Sequence, residues 1–244
     1  ALILEEGLPL SELDIVLETM ATMAKAAGVE IVTGDTKVVK KGEVDGIFIN
    51  TAGVGYIPEG IDIGPHRVKS YMDIILSGAL GDHSIAVMGE RFGLSLSESI
   101  KTDCAPLNHM VQKVLTAVGP EVALLRDPTR GGLGTVLKEI AGQSNVGILV
   151  NESDIPVHEE VQSVCRMLGY DPLYLANEGK AVLFVDPAVT NEVLSILQSF
   201  PEGAEAVCIG RTLDKNIGKV GLQTSLGGVR LLDLLGEDQV PRIC

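Results

Sequence analysis

The spacing of apolar and polar positions at the start of the chain predicts a strand followed by a helix. ALILEE at residues 1–6 is typical of a strand. Residues 11–28 predict an amphipathic helix, with Ser11 and Asp14 as an N-terminal capping signal and Gly28 as its end. The apolar positions of this helix recur at helical spacing: Leu13, Leu17, Met20, Ala24 and Ala27.

Two further strands are predicted at residues 29–39 and 44–55, joined by the polar turn KKGE. Strand, helix, strand and strand in this order indicate an α+β unit. The next segment, YIPEGIDIGPH at 56–66, is rich in Gly and Pro, and we therefore predict a linker there.

The rest of the chain, from MDIILSGALGDHS onward, predicts a second unit in which strands and helices alternate. Helices are predicted at Leu107–Val118, Leu133–Ala141, His158–Leu168 and Pro187–Phe200. Strands are predicted at Gly147–Val150, Ala181–Val185, Ala206–Ile209 and around Leu231. This mixed order indicates layered α/β packing.

Composition narrows the range of partners. The 244 residues are 45% hydrophobic, enough for one large domain or two ordinary ones. A formal net charge of -14 repels phosphate backbones and anionic lipid, so we expect neither nucleic acid nor membrane as a partner. No apolar run approaches the roughly 20 residues of a membrane span. A small anionic ligand remains compatible where glycine amides, basic groups or a divalent cation neutralise it.

The four cysteines, Cys104, Cys165, Cys208 and Cys244, lie far apart and do not have the spacing of a zinc site. A chain of this length does not need disulfides, and we expect reduced thiols in the cytoplasm. The first three lie in or beside apolar stretches and are expected to be packed, inert thiols. Cys244 is the last residue, where a side chain is usually mobile.

Two polar stretches before residue 85 are candidates for chemistry. TGDTKVV carries Asp35, Thr36 and Lys37, and an Asp beside a Lys can hold a divalent cation while the ammonium meets phosphate oxygens. The alternative is an exposed turn or strand. SGALGDHS places Asp82 and His83 after a glycine turn that can form an anion nest. The alternative is a turn with a capping Asp and a structural histidine.

Two more candidates follow. RDPTRGG comes directly before a predicted helix, and its candidate residues are Asp127, Thr129, Gly131 and Gly132. The start of such a helix offers free N–H groups that can bind phosphate. The alternative is a helix start that packs closely through its glycines. LANEGK brings Glu178, with Asn177 and Lys180 beside it, to the edge of a strand, where burial would make Glu178 a general base. The alternative is a Glu that faces water.

The order GDTKVV, SGALGDH, DPTRGG, ANEGK and a terminal PRIC resembles the HypE family of hydrogenase maturation factors, within the PurM-like ATP-binding superfamily. The resemblance covers essentially the whole chain. It implies a two-domain PurM-like architecture, with an N-terminal domain truncated before Ala1. We expect the rest of that domain at 1–56, a linker at 57–66, a C-terminal α/β domain at 67–236 and a flexible tail at 237–244.

The resemblance also implies an activity: the ATP-dependent dehydration of a carbamoylated C-terminal cysteine to a thiocyanate, which supplies cyanide for the iron of [NiFe] hydrogenases. It implies Cys244 as carbamoyl acceptor, Glu178 as base or orienting group and Lys37 as electrostatic partner of the transferred group. It implies Asp35 as a contact to Mg²⁺ and ATP. The other residues implied to bind ATP are Thr36, Asp82, Asp127, Thr129, Gly131 and Gly132.

The implied partners are a carbamoyltransferase of the HypF type, a HypC–HypD complex that carries the iron, and a second copy of the chain in a homodimer. Two alternatives stay open at this point. One is another PurM-like ATP enzyme such as a selenophosphate synthetase, for which Cys244 would be dispensable. The other is a non-enzymatic carrier or docking module on whose Cys244 other proteins act.

Overall fold

A computed structural model describes residues 1–93, 100–235 and 239, which divide into two compact units. The first unit is Ala1–Glu59 and the second begins at Gly60. Within the described ranges, no helix has the length and apolar character needed to cross a bilayer.

The first unit is a small sheet with one helix. It contains strand β1 (Leu2–Glu5), helix α1 (Leu10–Ala27), strand β2 (Thr36–Val39) and strand β3 (Ile47–Ile49). β1 lies in the middle of the sheet, with β2 parallel to it on one side and β3 antiparallel on the other. The parallel pairing of β1 and β2 follows from the helix that connects them.

The helix prediction for this unit is confirmed, and two details of it are wrong. Gly28 ends α1 in the left-handed conformation, with φ of 65°, as glycine allows. The helix begins one residue before Ser11, after Pro9, and no side chain caps it. Pro9 takes the N-cap position in an extended conformation, and its ring carries no acceptor for the first N–H groups of the helix.

The strands predicted at 29–39 and 44–55 are much shorter than predicted. β2 keeps four residues and β3 keeps three, because β1 pairs with only these positions. Apolar residues outside the paired segments are exposed, among them Val32 and Val54. In residues 1–59, all of which are described, Leu4 alone is buried.

The second unit carries five helices and seven strands in the described ranges. The helices are α2 (Asp82–Phe92), α3 (Asn108–Val118), α4 (Gly132–Gln143), α5 (Glu159–Leu168) and α6 (Thr190–Gln198). The strands are β4 (Asp73–Leu76), β5 (Val122–Arg126), β6 (Gly147–Asn151), β7 (Val182–Val185), β8 (Val207–Leu213), β9 (Val220–Gln223) and β10 (Val229–Leu232).

These strands form one sheet in the order β10-β9-β6-β8-β4-β7-β5. β6 and β9 are parallel, and the other neighbours are antiparallel. β4 lies near the middle of the sheet and is buried along its whole length. The loop that follows β4 therefore begins at a well-packed strand in the interior of the sheet.

Helices cover both faces of the sheet, as the layered α/β prediction requires. Ile74 and Leu76 of β4 pack on the face covered by α4, and Ile75 packs on the face covered by α3 and α6. This alternation is the period of a strand. Each fully buried side chain of this kind contributes about 1.5–3 kcal/mol to stability. A third cluster joins α2 to α5 through Ile85, Val161 and their neighbours.

All four helices predicted for the second unit are present, with ends that differ by a few residues. In place of one helix at 187–200, the structure has a 3-10 turn at Pro187–Val189 followed by α6. The four predicted strands are also present. The sequence patterns do not predict β4, β5, β9 or α2, because short apolar runs without alternation do not distinguish a strand from a buried helix.

Candidate active site

Three of the polar stretches singled out in the sequence meet in the second unit at the side chain of Asn177. Its Oδ1 accepts the N–H of Gly81 at 2.8 Å. Its Nδ2 donates to the carbonyl oxygens of Pro128 at 3.1 Å and Leu175 at 2.8 Å. One fully buried amide therefore joins the SGALGDHS, DPTRGG and LANEGK loops.

Two glycines make this meeting sterically possible. Gly81 has φ of 90°, and a Cβ there would lie 2.9 Å from Val161 of α5. Gly132 has φ of 62°, and a Cβ there would lie 2.6 Å from the carbonyl oxygens of Leu173 and Leu175. Both positions thus require glycine for backbone conformation and for close approach.

A fourth segment, which precedes α3, completes the junction through Asp103. Its Oδ1 accepts the backbone N–H of Glu178 at 3.1 Å. Its Oδ2 lies 3.5 Å from Nζ of Lys180, and both side chains are largely buried. Between the two, a Cβ at Gly179 would overlap the carbonyl oxygen of Asp103, so the two backbones are in direct contact.

Glu178 is half-buried at this junction, and burial is the main reason that its pKa is raised. The charges of Asp103 and Asp127 raise the pKa further, and His83 lowers it. A carboxyl group with a raised pKa is a better proton acceptor than an exposed one once it is ionised. The alternative of a Glu that simply faces water does not describe this side chain.

Asp82 lies in the first turn of α2, and its side chain contacts a histidine from a distant segment. Oδ1 of Asp82 lies 2.9 Å from Nδ1 of His158, whose Nε2 lies 3.2 Å from Glu205. Burial raises the pKa of Asp82, while His158 and Lys180 act against that rise. The hydrogen bond to Asp82 raises the pKa of His158.

His83 is buried beside a thiol that the sequence analysis expected to be packed. Its Nδ1 lies 2.9 Å from Oγ1 of Thr102 and 3.5 Å from Sγ of Cys104. Within the described part of the chain, its Nε2 has no hydrogen-bond partner. Cys104 itself is exposed, so its prediction as a packed thiol is wrong, whereas Cys165 is buried as expected.

The DPTRGG loop forms a turn closed by its own side chains. Oγ1 of Thr129 donates to Oδ2 of Asp127 at 3.2 Å, and Arg126 donates to Oδ1. The N–H of Gly132 donates to the carbonyl oxygen of Thr129 at 3.0 Å. α4 begins after Gly131 with no side-chain cap. The glycines are explained by close packing, and a role toward phosphate stays a prediction.

Asp35, Thr36 and Lys37 lie in the first unit at the start of β2, and all three are exposed. Oδ1 of Asp35 accepts the N–H of Thr36 at 3.0 Å. Lys37 faces Ile3 in the register of β1 and β2. Cys244 lies outside the described residues. No group of three or more His, Cys, Asp and Glu side chains suited to a metal occurs in the described ranges.

Among the described residues beyond β10, two are held by hydrogen bonds to the segment 171–174. The hydroxyl of Tyr174 donates to the carbonyl oxygen of Asp233 at 2.8 Å. The side-chain amide of Gln239 pairs in both directions with the backbone of Asp171: Oε1 accepts the N–H at 2.7 Å, and Nε2 donates to the carbonyl oxygen at 3.2 Å.

Comparison with known proteins decides the family. Residues 72–223 match the family described as AIR synthase related protein, C-terminal domain. The carbamoyl dehydratase HypE of Cupriavidus necator is 46% identical over 242 residues, which are 99% of this chain and 69% of that protein. The HypE of Rhizobium leguminosarum bv. viciae is 44% identical over 99% of this chain and 69% of its own length.

This chain belongs to the HypE family. A solved HypE structure superposes with a TM-score of 0.95 at 43% identity, covering 100% of this chain and 77% of that one. A HypE structure in complex with ATP gives 0.94 at 42% identity, covering 100% and 73%. A HypE–HypF complex gives 0.91 at 43%, covering 96% and 76%. The PurM-like α+β prediction is confirmed.

The roles of Asp103, of His158 and of the surroundings of Cys104 in this HypE-family chain have no counterpart in the sequence-based predictions. Asp103 lies 75 positions before Glu178, and His158 lies 76 positions after Asp82. Neither pair leaves a local signal, because the contacts arise only when the loops fold together. A weak signal was present in KTDCAPLN, where an acid stands beside a cysteine in a segment without periodicity.

Proposed function

We propose that this chain is an ATP-dependent carbamoyl dehydratase that converts a carbamoylated Cys244 to a thiocyanate, which supplies cyanide for the iron of a [NiFe] hydrogenase. In net terms, a thiocarbamate and ATP give a thiocyanate, ADP and phosphate. The observation that carries the proposal is the match of 99% of this chain to relatives named carbamoyl dehydratase HypE. The half-buried Glu178 supports it.

The chemistry has two demands. The carbamoyl oxygen is a poor leaving group, so it first attacks the γ-phosphorus of ATP and ADP departs. The nitrogen loses its first proton to solvent as the O-phosphorylated intermediate forms. A base then removes its second proton, the C–O bond breaks, and phosphate leaves as the C≡N bond forms. Such a sequence needs a positioned base and stabilisation of phosphate charge.

We assign the base to Glu178, because its carboxyl is half-buried and has a raised pKa. Its backbone N–H also donates a hydrogen bond to Asp103, which fixes the position of the residue. Cys244 is the carbamoyl acceptor. Lys37 is the electrostatic partner of the transferred phosphoryl group, since an ammonium is a compact positive charge on a flexible stem.

ATP is the co-substrate, and we assign its contacts to Asp35, Thr36, Asp82, Asp127 and Thr129, with the Gly131–Gly132 turn beside them. Mg²⁺ usually binds one or two carboxylates together with phosphates and waters. The exposed carboxylate of Asp35 fits such a shared ion better than a site made of protein ligands alone. When bound, the ion would neutralise phosphate charge, with Asp35 as its ligand.

The proposed partners follow from the reaction. A HypF-type carbamoyltransferase loads the thiol, which is supported by the likeness to the HypE of a HypE–HypF complex. A HypC–HypD complex that carries iron receives the cyanide, and the chain works as a homodimer in the cytoplasm. The proposed domain limits are 1–56, 57–66, 67–236 and 237–244.

The test separates loading from dehydration. The chain is incubated with a HypF-type carbamoyltransferase, carbamoyl phosphate and ATP, and then freed of partner and nucleotide by gel filtration. ATP is next added with or without Mg²⁺, and the C-terminal peptide is weighed by mass spectrometry. We expect a carbamoyl gain on Cys244 in the first step and the loss of one water only when Mg²⁺ and ATP are both present.

The controls identify the acceptor and the activity. Cys244→Ser should abolish the carbamoyl gain, whereas Cys208→Ser should leave it unchanged. The HypE of Cupriavidus necator serves as the positive control for both steps. A carbamoyl gain without water loss, when that control dehydrates, would favour a carrier role, and loading that persists in Cys244→Ser would refute the proposed acceptor.

A further inference from the structure

The carboxylate of Asp103 occupies a central position between two residues of the LANEGK loop. One oxygen accepts the N–H of Glu178, and the other faces the ammonium of Lys180 at 3.5 Å. The Asp103 side chain is 2% exposed and that of Lys180 is 11% exposed. Within the described residues, Oδ2 of Asp103 accepts no hydrogen bond.

The contribution of this ion pair to the stability of the fold does not by itself explain its presence. A buried carboxylate and ammonium lose their hydration, and well-packed apolar side chains of similar size often stabilise a fold as well or better. A hydrogen bond to each oxygen would offset more of that cost, yet Oδ2 has only the ion pair. The pair is therefore better explained by the groups that it holds in place.

The backbones around the carboxylate are fixed by direct contact. Gly179 has no room for a side chain, because Asp103 presents its carbonyl oxygen and Ala105 its nitrogen at that point. Glu178 and Lys180 flank this glycine, so both are held against the segment that carries Asp103. Small displacements of this segment would move both side chains together.

We propose that Asp103 is a positioning residue for the dehydration: it holds Glu178 in place as the base and tunes that base through its own negative charge. The inference rests on the proposed function of Glu178. Asp103 acts through Glu178 and Lys180 and does not itself touch the carbamoyl group.

The direction of the electrostatic effect follows from the groups around Glu178. Burial, Asp103 and Asp127 raise its pKa, and His83 lowers it. When the charge of Asp103 is removed, one of the two raising charges is lost, so the pKa of Glu178 falls. A base with a lower pKa is ionised at lower pH, and the acid limb of the rate profile moves in the same direction.

The experiment compares Asp103→Asn, Asp103→Ala and a matched control. Asn keeps an oxygen for the N–H of Glu178 and loses the charge, whereas Ala loses both. Asp186→Asn makes the same change at an exposed carboxylate that accepts the N–H of Ala188 at 3.0 Å. Each variant is loaded with carbamoyl, and single-turnover dehydration is measured across pH.

We expect Asp103→Asn to lower the maximal rate about tenfold and to shift the acid limb to lower pH. Asp103→Ala should lower the rate about a hundredfold, as a displacement of roughly 1 Å at a base can do. Asp186→Asn should change neither. An acid limb of Asp103→Asn that coincides with that of the wild type would overturn the inference.

A second readout does not depend on turnover. The side-chain carboxyl carbon of Glu178 is assigned by NMR with the help of Glu178→Gln, and its titration is followed in wild type and in Asp103→Asn. A shift to lower pH supports the coupling even if the chain proves not to dehydrate, in which case only the proposed function fails. Identical titrations in two folded proteins would remove the tuning role of Asp103.

Discussion

The side chain of Asn177 and the backbone N–H of Gly81 form a hydrogen bond of 2.8 Å that links the loop before β7 to the loop after β4. The same amide also donates to Pro128 and Leu175. Asn177 is fully buried, so water cannot replace it as a partner in any of these hydrogen bonds. This one side chain therefore contributes three of the hydrogen bonds that hold the junction together.

Replacing Asn177 by Ala should therefore lower the free energy of unfolding by about 2–4 kcal/mol, because three buried backbone groups lose a partner. Urea unfolding followed by circular dichroism measures the effect. Asn191→Ala, at an exposed position of α6, is the control and should stay within about 0.5 kcal/mol of the wild type. Equal effects of the two substitutions would contradict the central role of Asn177.

Glu178→Gln should leave carbamoyl loading unchanged and lower the dehydration rate about 10²–10³-fold, since general-base catalysis contributes factors of this size. In the wild type, the base must be ionised, so the rate should rise as pH increases through the raised pKa of Glu178. The acid limb should lie above the usual range of a glutamate. Single-turnover rates across pH measure both effects.

The control for this prediction is Glu192→Gln, which changes an exposed glutamate of α6 in the same way. It should retain the wild-type profile. A Glu178→Gln variant with a full rate and an unchanged acid limb would assign the base to another residue.

Gly179→Ala should destabilise the second unit by about 3 kcal/mol or more, because the new methyl group overlaps the Asp103 carbonyl oxygen and the backbones must separate. Gly142→Ala is the matched control. That glycine lies within α4 with nothing within 4 Å of a new Cβ, and the substitution should stabilise the protein by about 0.5–1 kcal/mol. Thermal unfolding of both variants should show shifts of opposite sign.

The three thiols in the described ranges should react in a fixed order with iodoacetamide near neutral pH. Cys104 is exposed and should be labelled first. Burial raises the pKa of Cys208, and it raises that of Cys165 to about 11, so Cys165 should be labelled last. Since the thiolate is the reacting form, we expect about a tenfold or larger difference in rate between Cys104 and Cys165.

Peptide mass spectrometry over time follows this reaction at each site. In urea, where the fold is lost, the three rates should converge. Labelling of Cys165 as fast as that of Cys104 in the folded protein would show that the α5 region opens readily.

The sequence predicted the elements with strong periodicity and the residues that stand out chemically. α1, α3, α4 and α5 follow their apolar spacing within a few residues. β4 was not predicted because its four buried residues show no alternation. The strand predicted at 29–39 was too long, because β-branched residues favour a strand only where a partner strand is present.

The candidate site was predictable to the same extent. The motifs around Asp82, Asp127 and Glu178 were found as separate polar loops, and their meeting at Asn177 appears only in the fold. Asp103 could not be found, because its importance comes from contact with a loop 75 positions later. Local patterns report local structure, and loop-to-loop contacts leave no such pattern.

The pairing of Gln239 with the backbone of Asp171 has a consequence for distance. Cys244 is five positions after Gln239, so the covalent chain allows at most about 18 Å between the Cα atoms of the two residues. Asp233, whose carbonyl oxygen accepts the hydroxyl of Tyr174, is eleven positions before Cys244, and from there the chain allows at most about 40 Å. The two hydrogen bonds of the Gln239 amide therefore more than halve the greatest distance at which the last residue can lie from a chain position held by the second unit.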